Sequence, residues 1–388
     1  MDSGYGNCRH HLMKTLFDSA ELQTAIDNVH RAGMPGVFAE VRDGDEVWRG
    51  AAGVADVSSG SPVTSDMRHR VGSITKTFTS AAILQQVESG QIGLDAPPID
   101  HYLPRLVPGE RGGAITVRML INHTSGLADY LPYAYPSLKA FPSLAKTTPQ
   151  SLDDNRFKRF HRAELIEMGV SAPSAGTPGG TPGVYSNTNY QLLCELLERV
   201  TGATAEECIT RNVIERAGLN DTELPVGPQI SGPHSQMYEA WFGMIDPPRD
   251  YSVYDMSWVG PAASLITTVD DLNRFYGLLL AGEIVNESSL AQMQRTVPVI
   301  SFEGKKIEYG LGLHRMEVPG EGTFWGHDGS VWGAGAMSMT RADGKRQMSV
   351  AVNLMRWNKL DASGKPQRHP LDDALPAFYR MAMRDSRH

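Results

Sequence analysis

An α/β fold in two lobes is predicted by three observations: a pair of strand patterns behind an N-terminal helix, a hairpin pattern near the C-terminus, and a long helix- and loop-rich stretch between them. Strands at both chain ends with helices between imply one sheet assembled from the two ends, with the helical middle as a second lobe. The α/β lobe is expected from about 19–75 and 290–388, and the helical lobe from about 76–289. Residues 1–18 then form an N-terminal extension to a single domain over 19–388. The cleft between sheet and helices is a favoured place for a small-molecule site.

Each element has a local reason. Ser19 is a fair N-cap for a helix over 20–32, which Gly33 ends. Residues 36–41 and 46–51 read as strands around an Asp43-Gly44 turn. A buried helix opens at Ser73-Ile74-Thr75-Lys76 and ends near Gly90. A short helix over 115–122 is capped near Thr116. Residues 128–157 hold Pro132, Pro136, Pro142 and Pro149, and read as a long irregular excursion. Residues 163–168 are helical, 171–183 form a Pro/Gly-rich connector, and 188–200 make a strong helix closed by Gly202. Another helix over 270–281 is capped within Thr267-Thr268-Val269-Asp270. Residues 309–314 begin a strand-like run, and 335–340 with 346–354 form a hairpin around Asp343-Gly344. A final helix starts at about Asp372, and no internal repeat is found.

Composition bounds the function. The 388 residues are enough for a large core, and 41% hydrophobic with 21% charged residues is ordinary for a globular protein. A net charge of −8, with no basic run interleaved with aromatics, argues against nucleic-acid binding. No apolar stretch approaches the roughly 20 residues of a membrane span. The first eleven residues lack the apolar core of a signal peptide, so a cytoplasmic location is expected unless a leader has been removed. Cys8, Cys194 and Cys208 have no metal spacing and imply no disulfide framework; Cys194 and Cys208 are expected to pack as small apolar residues.

Three motifs carry chemistry. Ser73 and Lys76 stand one helical turn apart, on the same face. A lysine desolvated there accepts the serine proton, and the serine amide at a helix start is free to serve as an oxyanion donor. A second Ser-x-x-Lys, Ser143 to Lys146, lies between Pro142 and Pro149 with no helix after it, and reads as a chance match. Tyr185-Ser186-Asn187 places a phenol and a carboxamide on the same side of an extended segment, fit for proton relay and for holding an amide or the lysine. Tyr5-Gly6-Asn7 is a second, terminal copy. In Gly326-His327-Asp328-Gly329-Ser330 the glycines allow close approach of another backbone, and His327 is a candidate for positive charge or a hydrogen bond beside the nucleophile.

Ser-x-x-Lys, Tyr-x-Asn and His-x-Gly in this order, about 110 and 140 residues apart, resemble the pattern of the penicilloyl-serine transferases. The chain is similar to the serine β-lactamase-like superfamily, within it to soluble D-alanyl-D-alanine carboxypeptidases, class C β-lactamases and D-aminopeptidases. Supporting stretches are 71–78, 115–127, 185–190, 267–272 and 309–313. The resemblance implies a β-lactamase/transpeptidase-like α/β fold, an antiparallel sheet flanked by helices plus an all-helical lobe. It implies a serine hydrolase acting through an acyl-enzyme on a small peptide, amide or ester of the D-amino-acid type. The alternatives are a standalone thioesterase or cyclase, and a penicillin-binding sensor that does not turn over. Ser73 would attack, Lys76 and Tyr185 would share the proton transfers, and the amides of Ser73 and Ser330 would bind the oxyanion. Asn187 and His327 would position substrate, Trp258 would line the acyl-side pocket, and no metal or organic cofactor is needed.

One departure bears on the substrate. Carboxypeptidases of this group read His-Thr-Gly-Thr here, with an Arg shortly upstream, and those groups grip a substrate carboxylate. This chain has Asp328 and Ser330 at the two Thr positions, and His314, followed by Arg315, stands roughly where the Arg would be. A carboxylate at 328 repels a substrate carboxylate, so the substrate is expected to lack one there or to carry an amine. The alternative is that Asp328 turns away and pairs with a cation such as Arg315.

Overall fold

The computed structural model describes residues 17–385. Cys8, the Tyr5-Gly6-Asn7 copy and nearly all of the N-terminal extension lie outside the described residues.

One sheet dominates. Its strands in chain order are β1 (Gly36–Asp43), β2 (Glu46–Asp56), β3 (Ser61–Pro62), β4 (Gly183–Val184), β5 (Val297–Ile300), β6 (Lys306–Tyr309), β7 (His314–Val318), β8 (Gly322–Val331), β9 (Ala334–Arg341) and β10 (Arg346–Val352). They lie side by side as β3-β2-β1-β10-β9-β8-β7-β6-β5-β4. All neighbours pair antiparallel except β4 and β5, which are parallel. The sheet is therefore built from the two chain ends, as the strand patterns predict. The exception is β4, which arrives from the middle of the chain within the predicted connector.

The central strands are buried on both faces. Every residue of β10, Arg346 to Val352, is buried, which is why its sequence does not alternate cleanly. One face is covered by α1 (Ser19–Arg31) and the C-terminal helix Leu371–Met383. There Leu22, Ile26, Val29 and Phe378 join Val41, Met348 and Val350 in one apolar cluster. Each such side chain contributes about 1.5–3 kcal/mol on burial. The N-cap of α1 is Asp18 rather than Ser19, its carboxylate accepting the Ala20 and Glu21 amides at 2.9 and 3.0 Å.

On the other face lies the helix Val269–Leu280, capped by Thr268. Asn273 accepts from Ser349 at 2.8 Å, and its carbonyl accepts from Gln347 at 2.7 Å, so Ser349 and Gln347 of β10 are satisfied by this helix. Its opposite side enters the helical core, where Phe275 stacks on Phe78 at 3.8 Å. The sequence places this helix in the helical lobe; it packs on the sheet as well, because its less apolar side offers Asn273 to the buried polar groups of Glu40, Gln347 and Ser349. The strand-like run expected over 309–314 is instead the end of β6, a tight turn, and the start of β7. Gly312 has φ +76°, and Gly310 lies so close to the Met293 carbonyl that a Cβ would meet it at 1.8 Å.

Candidate active site

Ser73 sits in a single 3-10 turn, Gly72–Ile74, that runs into the helix Thr75–Glu88. The turn keeps Ser73 and Lys76 on one side, and Lys76 Nζ is 3.0 Å from Ser73 Oγ. The lysine is fully buried and donates also to Asn187 Oδ1 at 2.7 Å and to the Ala262 carbonyl at 3.0 Å. Burial in this dry site pulls its pKa down to about 7, partly offset by the negative charges of Asp129 and Asp328. A lysine so placed has a large neutral fraction at neutral pH.

Tyr185 follows β4 at the sheet edge, where its amide donates to the Ile300 carbonyl at 3.0 Å. Its hydroxyl lies near enough to Ser73 to be influenced by that side chain, and its ring lies 5.0 Å from Lys76 Nζ. Burial holds the phenol well above its usual pKa. It is therefore a neutral hydroxyl able to pass a proton. Ser186 takes the N-cap position and Asn187 is the first residue of the helix Asn187–Thr201. The carboxamide thus projects from a helix start, where the sequence suggested an extended segment.

The strand β8 closes the other wall. Gly72, at φ +54°, and Gly329 interlock: a Cβ on Gly72 would lie 2.5 Å from the Ser330 nitrogen, and one on Gly329 would lie 2.5 Å from the Ser73 nitrogen. Only glycines let β8 approach the Ser73 turn this closely. The contact brings the backbone amides of Ser73 and Ser330 next to each other.

His327 is 1% exposed, and burial lowers its pKa well below the usual value. Its Nδ1 is 2.5 Å from the Asp328 carbonyl and its Nε2 is 3.0 Å from the Tyr309 hydroxyl. A carbonyl only accepts, so Nδ1 carries the proton and Nε2 accepts from Tyr309. Of the two roles open to His327, positive charge or a hydrogen bond, the geometry favours the hydrogen bond: it is a neutral strut. His314, Nδ1 3.5 Å from Asp328 Oδ1, is likewise kept uncharged by burial. It does not replace the carboxylate-gripping arginine. His314, His327 and Asp328 could be drawn around an ion, but both nitrogens of His327 already have protein partners.

The Asp328 side chain is 57% exposed, and the field it exerts reaches both Lys76 and Tyr185. The alternative partner, Arg315, pairs with Glu317 at 2.7 Å on the opposite side of β7. Trp258 is 3% exposed and stacks flat on Trp332 at 4.8 Å, so it is a plate of the aromatic core behind the cleft. The second Ser-x-x-Lys copy has both Ser143 and Lys146 exposed.

Two residues of the site went unread in the sequence. Asp129, partly buried at the start of the irregular excursion, accepts the Asn187 Nδ2 at 3.0 Å and so turns the Asn187 oxygen toward Lys76. His123, in the left-handed region at φ +63°, stacks on the Tyr185 ring at 4.1 Å while its Nδ1 accepts the Ser186 amide at 3.1 Å. The only signal for either was their place in or beside the 115–127 stretch.

Comparison with known proteins agrees with this fold. The chain matches the Beta-lactamase family over residues 21–372. A D-stereospecific amidohydrolase from Streptomyces sp. superposes with a TM-score of 0.77 at 32% identity, covering 87% of this chain and 95% of that one. Penicillin-binding protein 4* of Bacillus subtilis is 24% identical over 359 residues, 89% of this chain and 72% of that protein. A D-aminopeptidase of Cereibacter sphaeroides is 25% identical over 329 residues, 85% of this chain but only 58% of its own length.

Proposed function

The chain belongs to the Beta-lactamase family, and from that membership we propose that it is a serine hydrolase working through an acyl-enzyme on a small amide, peptide or ester of the D-amino-acid type. The observation that carries the reading is the buried Lys76 amine, 3.0 Å from the Ser73 hydroxyl, with its pKa near 7.

In this reading Ser73 Oγ attacks the substrate carbonyl as its proton passes to neutral Lys76. The carbonyl oxygen takes the negative charge between the amides of Ser73 and Ser330; such a donor is typically worth about 3–4 kcal/mol. The proton then travels through the Tyr185 hydroxyl to the leaving nitrogen or oxygen, and the bond to the leaving group breaks. Water, deprotonated by the same groups, attacks the acyl-enzyme, releases the acid and restores Ser73. Asn187 holds Lys76, and His327 stiffens β8. Asp328 faces the cleft with no fixed cation beside it among the described residues, which disfavours a substrate carboxylate and favours an amide, an ester or an amine-bearing group.

The names of the relatives support the same class: an amidohydrolase acting on D-stereoisomers and a D-aminopeptidase. Intact-mass analysis after a fluorophosphonate tests the nucleophile; one adduct is expected, absent in Ser73→Ala. D-alanine amide should then turn over for many equivalents, and Asp328→Thr should gain activity on D-Ala-D-Ala. A single burst without turnover would instead indicate a sensor, and an adduct that survives Ser73→Ala would overturn the assignment.

A further inference from the structure

We infer that Phe141 and Phe302 form an aromatic clasp over the leaving-group end of the cleft, which restricts this hydrolase to compact leaving groups such as ammonia or a short alcohol. The inference rests on the acyl-enzyme reading above and narrows its substrate class.

The two rings come from opposite walls. Phe141 belongs to the irregular excursion over 128–157, and Phe302 to the turn between β5 and β6 on the sheet side. They stack at 4.7 Å with planes 15° apart. A second contact lies beside them, where a Cβ on Gly304 would sit 3.3 Å from Pro142. Phe302 packs both on the cluster of Tyr185, Val299 and Tyr309 and on the cluster that holds Tyr135, Trp258 and Trp332. It therefore joins the sheet edge at Tyr185 to the excursion.

That span lies at Tyr185. The Tyr185 amide is tied to Ile300, two residues before Phe302. Glu303, on the same turn, is close enough for its charge to act on the Tyr185 phenol. In the proposed reaction Tyr185 protonates the leaving group, so the departing atom sits within hydrogen-bond reach of that hydroxyl. Whatever extends beyond the departing atom meets the stacked rings. Ammonia or methanol ends before them; an anilide, a naphthyl ester or a peptide chain has to part them. Both rings are only partly buried, so parting them disturbs a surface contact and leaves the core intact.

The test compares wild type, Phe141→Ala, Phe302→Ala and the double variant on D-alanine amide and D-alanine p-nitroanilide. Taking the kcat/KM ratio of the two substrates in each variant relative to wild type cancels their intrinsic reactivity. Each single variant should raise the anilide-to-amide ratio about tenfold, the scale of one aromatic pair, and the double variant should add little more. Phe141→Leu and Phe302→Leu, which keep apolar bulk without the stack, guard against unfolding and should give a smaller gain in the same direction. An unchanged ratio, an equal loss on both substrates, or additive gains would overturn the clasp. If wild type turns over neither D-amino-acid substrate, the substrate reading has failed. The clasp is then still read from the rates at which ethyl acetate and 2-naphthyl acetate acetylate Ser73, by intact mass, with the same ratio expected to shift.

Discussion

At the scale of residues, the site is a set of unfavourable burials that cancel in one protonation state. Lys76 is stripped of water and keeps three acceptors: the Ser73 hydroxyl, the Asn187 oxygen and the Ala262 carbonyl. Asn187 could in principle present either end of its amide; Asp129, accepting from Nδ2, selects the oxygen for Lys76. Asp129 also stabilises the ammonium by its charge, against the larger effect of burial. For wild type, kcat/KM should therefore rise with pH and level off above about 7, as Lys76 loses its proton. Asp129→Asn removes a negative charge that favours the ammonium, so the Lys76 pKa falls and the acid limb moves to lower pH. It also frees the Asn187 amide to flip, and kcat should drop roughly tenfold, about the effect of one hydrogen bond to a positioned group. A pH–rate profile checks both, and an acid limb left in place would show that Asp129 only packs. Ser73, Lys76 and Tyr185 were legible in the sequence because their chemistry is local or motif-bound. Asp129 was not, because it lies 58 residues from Asn187 and meets it only through the tertiary fold.

At the scale of elements, the glycines decide which backbones can meet. The sequence marks Gly326 and Gly329 as places of close approach, and in the fold each lies against backbone: Gly326 under the Ser338 carbonyl, Gly329 over the Val71 carbonyl and the Ser73 amide. It does not reveal that Gly72 completes the interlock from the other side. A Cβ on Gly329 would come within 2.0 Å of the Val71 carbonyl, and backbone cannot step aside as a flexible side chain can. Gly329→Ala must push β8 away from the Ser73 turn and pull the Ser73 and Ser330 amides apart. Since one oxyanion donor is worth roughly 10²–10³ in kcat, Gly329→Ala should lose at least about 100-fold in kcat. KM should change far less, and fluorophosphonate labelling of Ser73 should slow in parallel. Retained kcat would mean that the two amides do not act together. The Tyr309–His314 run shows the reverse failure of periodicity: apolar alternation reads on through Gly310 and Gly312, while the left-handed Gly312 and the crowded Gly310 turn the chain.

At the scale of the whole molecule, the predicted two-ended sheet is present, yet its boundary with the helical lobe is softer than the sequence pattern implied. The helix Val269–Leu280 serves both cores, and the two-residue β4 inserts the middle of the chain at the sheet edge. Neither is visible from periodicity: the apolar pattern marks the side of this helix that enters the helical core but not the Asn273 side that meets the sheet, and a two-residue strand has no pattern of its own. This double use buries imidazoles at the seams. His69, between β10 and the strand Ile266–Thr267 that leads into the helix Val269–Leu280, donates from Nε2 to the Val352 carbonyl at 3.0 Å, and burial lowers its pKa to about 4. His123, His314 and His327 are shifted the same way for the same reason. In the unfolded chain all four take up protons near pH 6.5. Between that pH and about 4 the unfolded state therefore binds more protons than the native state, and stability falls as pH falls. His69 alone is worth on the order of 3 kcal/mol across this window. Scanning calorimetry from pH 7 to pH 4 should show the melting temperature dropping steeply below about pH 6.5, with His69→Phe losing part of the slope. A melting temperature flat to pH 5 would mean that these imidazoles are charged in the fold, and the neutral strut assigned to His327 would fall with them.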